Sequence, residues 1–169
     1  MGIFSRGSPC APLDSNIRSI YNGYVINMQA QRSLKTIDVA LGFAADDVGN
    51  GVGYVDLRTP RAQRVARVDF SVPRIPALLG REIGYAALSA VAKRIADSGF
   101  EEASFRVADS QLVDDLDGKT EVPSPLALAY VNLRCQLNRF RLAVVLDDEP
   151  AAEDLAARAR AEVTLHIAA

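Results

Sequence analysis

Asp109-Ser110-Gln111-Leu112-Val113 marks the point where a short apolar strand gives way to a helix. The preceding residues 103–108 read as a strand, and residues 111–116 read as a short helix that closes at Asp117-Gly118. Asp109 therefore lies at the end of a strand and at the mouth of a helix. Open sheets tend to bind ligands at such a place, but an Asp there can also simply cap the helix by accepting a backbone N–H. Both interpretations are open.

Three strands precede this segment and predict an antiparallel meander. From Ile37 to Phe43 apolar residues alternate with small or charged ones, which is the period of a strand. Residues 46–51 read as a turn, and strands follow over residues 52–57 and 65–72, separated by a break at Thr59-Pro60. A helical period over residues 83–95 then ends at Gly99.

The segments after Asp109 complete an α/β pattern. A longer helix is predicted over residues 125–140, a last strand over 141–146, and a final helix from Pro150 to about Val163. This order predicts a five-stranded mixed sheet, with three antiparallel strands followed by two parallel ones, flanked by helices. We expect an N-terminal extension over residues 1–33, one domain over 34–163 and a C-terminal tail over 164–169.

Composition excludes several classes of protein. The chain has 169 residues, enough for one ordinary domain, and a formal net charge of -2, so no global positive field attracts nucleic acid. No apolar run approaches the roughly 20 residues that span a bilayer. The two cysteines show no metal-ligand spacing, which favours free thiols and a cytoplasmic location. The single histidine, His166, is predicted in the tail, so a catalytic triad has no candidate base.

The element order and the residues around Asp109 resemble the ribonuclease H family. The resemblance is specific from Arg106 to Phe140, where the Asp-Ser-Gln-Leu-Val element is followed by a Gly-Lys turn and a long helix. It implies a ribonuclease H-like fold and a metal-dependent endonuclease that hydrolyses the RNA strand of an RNA/DNA hybrid. It also implies Mg²⁺ or Mn²⁺ as cofactor, held by several converging carboxylates.

The resemblance assigns the catalytic and metal-ligating roles to Asp38 in the first strand, Asp109 after the fourth strand, and Glu153 in the last helix. Asp38 shares a strand face with Ala40 and Gly42, whose small side chains would leave room for a metal ion and a phosphate. An exposed Asp38 without a ligand is the alternative.

The last helix offers a second candidate beside Glu153. Asp154 follows it directly and is a weaker metal ligand. Acidic residues in the first turn of a helix also complement the helix dipole without binding anything, so this alternative stays open for both residues.

The chain departs from the family pattern in the first long helix. Gly84 stands where the resemblance implies a metal-ligating Glu. Glu82 lies two residues earlier, about 200° away around the helix, and is a weak substitute ligand or a solvated Glu at the helix N-terminus.

Basic residues supply candidate contacts to nucleic acid. Guanidinium and ammonium groups suit phosphate oxygens, although arginines on the outer face of a meander are also an ordinary solvated surface. The candidates are Arg58, Arg61, Arg64, Arg67, Arg74 and Lys119.

Because Gly84 cannot ligate a metal, the sequence supports a second function beside the nuclease. The alternative is a catalytically impaired ribonuclease H-like domain that binds nucleic acid, or a protein partner, without cleavage. Residues 1–33 would then be an added arm that packs on a sheet edge or on a second copy. No interaction with a membrane is expected.

Overall fold

The computed structural model describes residues 35–73 and 80–167, which contain one mixed sheet and the helices packed on it. The predicted extension over residues 1–33 and the candidate Arg74 lie outside the described residues. The strands are β1 (Thr36–Ala45), β2 (Asn50–Thr59), β3 (Ala62–Ser71), β4 (Glu102–Val107) and β5 (Leu142–Asp147). The helices are α1 (Arg81–Asp97), α2 (Ser110–Leu116), α3 (Ala127–Leu137) and α4 (Glu149–Ile167), with a 3-10 turn at Ser124–Leu126.

The sheet has the strand order β3-β2-β1-β4-β5. β1, β2 and β3 pair antiparallel, whereas β4 pairs parallel to β1 and β5 parallel to β4. This topology confirms the predicted five-stranded mixed sheet flanked by helices. The parallel pairing follows from the crossover helices, because a strand reached through a helix returns in the direction of its predecessor.

The main core lies between the sheet and the helices α1, α2 and α3. Alternate residues of β1 and β4 point to this side, as the strand period predicts, and meet the apolar stripe of α1. The fully buried members at the centre are Val39, Leu41, Phe105, Val107, Tyr85, Leu88 and Val91.

α4 covers the opposite face of the sheet, over β1 and β2. It approaches closely because its inward residues Ala152, Ala156 and Ala159 are small and buried. Gly42 on β1 lies directly beneath this helix: a Cβ at that position would be 2.0 Å from the backbone nitrogen of Ala156. Ala40 and Gly42, whose small size suggests room for a ligand, thus lie on the face of β1 that α4 covers.

Two helix boundaries differ from the prediction. The segment predicted as one helix over 125–140 divides into the 3-10 turn and α3. α4 begins at Glu149, so Pro150 lies in its first turn, where the absence of an N–H costs no hydrogen bond. It continues past Val163 to Ile167, so the backbone of His166 belongs to its last turn. In the described part of the chain, no helix is long and apolar enough to cross a membrane.

Candidate functional site

Asp109 lies two residues beyond the end of β4 and caps α2. Its Oδ1 accepts a hydrogen bond of 3.0 Å from the backbone N–H of Leu112, which confirms the capping interpretation. Burial raises the pKa of Asp109, and the charges of Asp115 and Asp147 act in the same direction, against the Leu112 hydrogen bond and the charge of Arg81. In the chain by itself, the surroundings of Asp109 therefore disfavour its charged form.

The other carboxylate oxygen of Asp109 faces α1 at Gly84. A Cβ at Gly84 would lie 2.8 Å from Asp109 Oδ2 and 3.4 Å from Cζ of Phe43. Phe43 is level with Asp109 because β1 and β4 pair in parallel with Leu41 opposite Val107. Asp109 thus has a glycine and a phenylalanine ring beside it, where further carboxylates would be needed to hold a divalent cation.

The structure does not bring Asp38 to Asp109. Asp38 pairs with Ser104 on β4, five residues before Asp109. At about 3.3 Å per residue, this offset separates the two positions by roughly 16 Å along the strands. Asp38 is exposed and lines a shallow cleft with Thr36, Arg58 and Ser104 at the other end of the sheet. The predicted convergence is corrected, and the exposed, non-ligating interpretation of Asp38 is the one the geometry favours.

The remaining acidic candidates form no group of three with Asp109 among the described residues. Glu82 is buried and is one of the residues that line a cavity of about 290 Å³, together with Phe70 and Ser71 of the β3 end. Glu153 is exposed and forms an ion pair with Arg160 within α4. Asp154, next to it, is exposed.

These donors do not fit a two-metal centre. Within residues 35–73 and 80–167, no three His, Cys, Asp or Glu side chains approach closely enough to hold a metal ion together. Mg²⁺ and Mn²⁺ require several oxygen ligands in one place, and a two-metal reaction requires more. Asp109 lies just after β4, but among the described residues no two further His, Cys, Asp or Glu side chains join it closely enough to hold a metal ion with it.

The sequence did not reveal a buried polar network centred on Asp115, a residue 1% exposed on α2. Nη2 of Arg81 donates to both carboxylate oxygens at 2.6 and 2.5 Å, and the hydroxyl of Tyr85 donates at 2.6 Å. The side chains of Gln111 and Thr120 donate as well. Burial acts to raise the pKa of Asp115, but these hydrogen bonds outweigh it and hold the pKa below its usual value.

This network ties α1 to α2 beside the candidate site. Its members are too far apart in the chain for a local pattern to show it, since Arg81 precedes Asp115 by 34 residues. The only sequence signal is an acidic residue at an inward position of α2, between the buried Leu112 and Leu116. A charged residue at such a position needs a partner.

Three of the five predicted nucleic-acid contacts that the structure describes are already paired with acidic side chains. Arg58 pairs with Asp56, and Lys119 with Asp114 and Asp117. Arg67 pairs with Asp69 and Glu162. Their charges are therefore largely compensated within the chain.

Two of the predicted arginines form no ion pair with an acidic side chain in the described part of the chain, and the same holds for a third arginine, Arg94. Arg61, in the β2–β3 turn, and Arg64, on β3, are exposed and form no ion pair among the described residues. Leu57 lies opposite Arg64 in the β2–β3 register and lines a cleft with Arg94, near the end of α1. Arg94 is also exposed and forms no ion pair among the described residues. We call Arg61, Arg64 and Arg94 the arginine surface.

Comparisons of the whole structure with solved proteins give the same fold. Ribonuclease H1 from the halophilic archaeon Halobacterium salinarum superposes with a TM-score of 0.57 and 24% identity, over 75% of this chain and 98% of the other. The N-terminal ribonuclease H domain of a Mycobacterium tuberculosis protein gives 0.57 and 18%, over 73% and 98%. LC11 ribonuclease H1, solved in complex with an RNA/DNA hybrid, gives 0.52 and 12%, over 76% and 99%.

The chain has the ribonuclease H-like fold. No family model and no curated protein matches the sequence, so the likeness rests on the structure. Within this ribonuclease H-like domain, the element that the sequence resemblance describes best is the Asp109 segment. At the level of Asp109, β1 presents Phe43 and α1 presents Gly84, and neither residue carries a carboxylate.

Proposed function

We propose that this ribonuclease H-like domain binds nucleic acid without hydrolysing it, with an RNA/DNA hybrid as the first duplex to test. The single observation that carries the proposal is the environment of Asp109. Gly84 and Phe43 occupy the positions next to its free oxygen, where a hydrolytic metal centre needs carboxylates. Hydrolysis of the RNA strand, with Asp38, Asp109 and Glu153 as ligands for Mg²⁺ or Mn²⁺, would require those side chains to converge.

Binding is supported by two independent features. One neighbour with this fold was solved in complex with an RNA/DNA hybrid, so the architecture is compatible with that ligand. The arginine surface offers cationic groups whose charges no acidic partner in the described residues compensates. Arginine suits phosphate oxygens because its planar guanidinium donates two parallel hydrogen bonds.

The arginine surface predicts a salt-dependent affinity. We expect the full chain to bind a labelled RNA/DNA hybrid in EDTA, with an affinity that falls steeply as salt increases, because binding to phosphates releases counterions. The double variant Arg61→Ala/Arg64→Ala should reduce the slope of log affinity against log salt by about two, roughly one for each arginine that no longer meets a phosphate. Fluorescence anisotropy at several salt concentrations measures this slope.

The matched control is Arg139→Ala/Arg160→Ala, which removes two exposed arginines that are ion-paired with Asp97 and Glu153. We expect the control to keep the wild-type slope. The binding proposal fails if the wild-type chain shows no binding, or if the control variant loses as much affinity as the test variant.

A further inference from the structure

The outer strand β5 has an apolar row that nothing in the described part of the chain covers. Leu142, Val144 and Leu146 point to the same face and are 54%, 39% and 45% exposed. The intervening Ala143 and Val145 point to the other face and pack against the main core. α4 covers β1 and β2 on the side of the exposed row and leaves β5 open.

No strand in the described part of the chain pairs with the outer edge of β5. β5 is the last strand of the sheet there, and it pairs with β4. The backbone N–H groups of Leu142 and Asp148 point inward, toward the carbonyls of Glu101 and Val107. Because these groups alternate in direction along a strand, the N–H and C=O of Ala143 and Val145 point outward. An exposed, apolar edge strand of this kind is a template for another strand.

The sequence of β5 is complementary to itself when it is reversed. In an antiparallel pair of two β5 strands centred on Val144, Leu142 lies opposite Leu146 of the other copy and the two Val144 side chains meet. Ala143 then lies opposite Val145, and the outward backbone groups of both residues can form a pair of hydrogen bonds. If the two strands were shifted by two residues, one of the three exposed apolar side chains would lie opposite a residue outside the row. The apolar row therefore favours the register centred on Val144.

The charges at the two ends of β5 suit the same arrangement. Arg141 precedes the strand and Asp147 ends it, so the antiparallel register sets each Arg141 opposite Asp147 of the other copy. Both side chains are exposed, and opposite charges on facing strands stabilise the pair, although Arg141 also forms an ion pair with Glu102 of its own chain. A parallel pair would instead bring like charges together.

We infer that β5 is a homodimer interface, in which two copies of this chain join their sheets antiparallel about Val144. One strand edge and its apolar row form a small contact, below the roughly 800 Å² per partner of a standard interface. We therefore expect a weak association, with a dissociation constant roughly in the micromolar range.

Sedimentation velocity of the full chain, from about 1 to about 200 µM, tests the association because this range brackets the expected constant. We expect a monomer–dimer equilibrium in the wild type, weakened at least about tenfold by Val144→Lys, since a lysine on an edge strand opposes pairing. Val131→Lys is the control, because Val131 is 52% exposed, like the apolar row of β5, but lies on the helix α3 and not on the edge strand. A wild type that stays monomeric, or a control that dissociates as readily as Val144→Lys, overturns the inference.

Cysteine cross-linking tests the register itself, in a background with Cys10→Ser and Cys135→Ser. Val144→Cys should form an intermolecular disulfide with itself, because facing residues at this type of position have Cα atoms about 4.5 Å apart. Leu142→Cys and Leu146→Cys should cross-link when mixed, and neither should cross-link alone, since the like positions are about 13 Å apart. Cross-linking of Leu142→Cys with itself would contradict the antiparallel register.

Discussion

Replacing Asp115 by Ala should destabilise the domain by about 3–5 kcal/mol, the cost of breaking a buried ion pair by removing one partner. Asp115 is 1% exposed and accepts hydrogen bonds from Arg81 and Tyr85 across the α1–α2 contact. Its removal leaves the Tyr85 hydroxyl buried without its acceptor. Urea denaturation at pH 7 measures the loss.

Asp114→Ala is the matched control on the same helix. Asp114 is half-buried, and its ion pair with the exposed Lys119 lies at the surface, so its removal should change the free energy of unfolding by less than about 1 kcal/mol. Equal losses for the two variants would show that the buried network does not stabilise the fold.

The destabilisation by Asp115→Ala should also depend on pH. The hydrogen bonds to Asp115 lower its pKa in the folded state, so the folded chain binds fewer protons at this site than the unfolded chain. The stabilisation is therefore present above the pKa of about 4 of an unfolded Asp, and it is lost as pH falls through the lower folded pKa. The difference between wild type and variant should shrink below about pH 4, and a difference that grows there would contradict this assignment.

The second large effect is expected at Gly42, where α4 rests on β1. A Cβ there would lie 2.0 Å from the backbone nitrogen of Ala156 and 2.7 Å from the backbone oxygen of Ala152. These are backbone atoms of a helix and cannot rotate away. Gly42→Ala should therefore cost at least about 3 kcal/mol, the upper end of the usual range for overpacking.

Gly53→Ala on the neighbouring β2 is the control for Gly42→Ala. Its nearest neighbour would be the end of the flexible Leu41 side chain at 3.3 Å, so we expect a loss below about 1 kcal/mol. Hydrogen exchange in α4 should accelerate in Gly42→Ala, because the helix must move away from the sheet. Unchanged protection of α4 together with unchanged stability would contradict the close packing of this helix.

The strand period and the element order were sufficient to predict the fold. Alternation from Ile37 to Phe43 identified β1 and its buried face, and the Asp109 segment identified the change from strand to helix. Gly84, which stands where the resemblance implies a metal-ligating Glu, lies on α1 next to Asp109.

The residue beside Asp109 on β1 could not be predicted in the same way. A period of two indicates the face on which a side chain lies, but it does not indicate how far along the sheet two strands are offset. The resemblance implies a ligand at Asp38, the acidic residue of β1, whereas the β1–β4 register puts Phe43 at the level of Asp109. The network of Asp115 was missed for a related reason, since its partner Arg81 comes from another element.

The most direct test of the proposed function is the reaction of the purified full chain with a labelled RNA/DNA hybrid in Mg²⁺ or Mn²⁺. Because Gly84 and Phe43 replace carboxylates beside Asp109, we predict that the hybrid is bound and remains uncut, equally for the wild type and for Asp109→Asn. Cleavage of the RNA strand by the wild type, abolished by Asp109→Asn, would contradict the account.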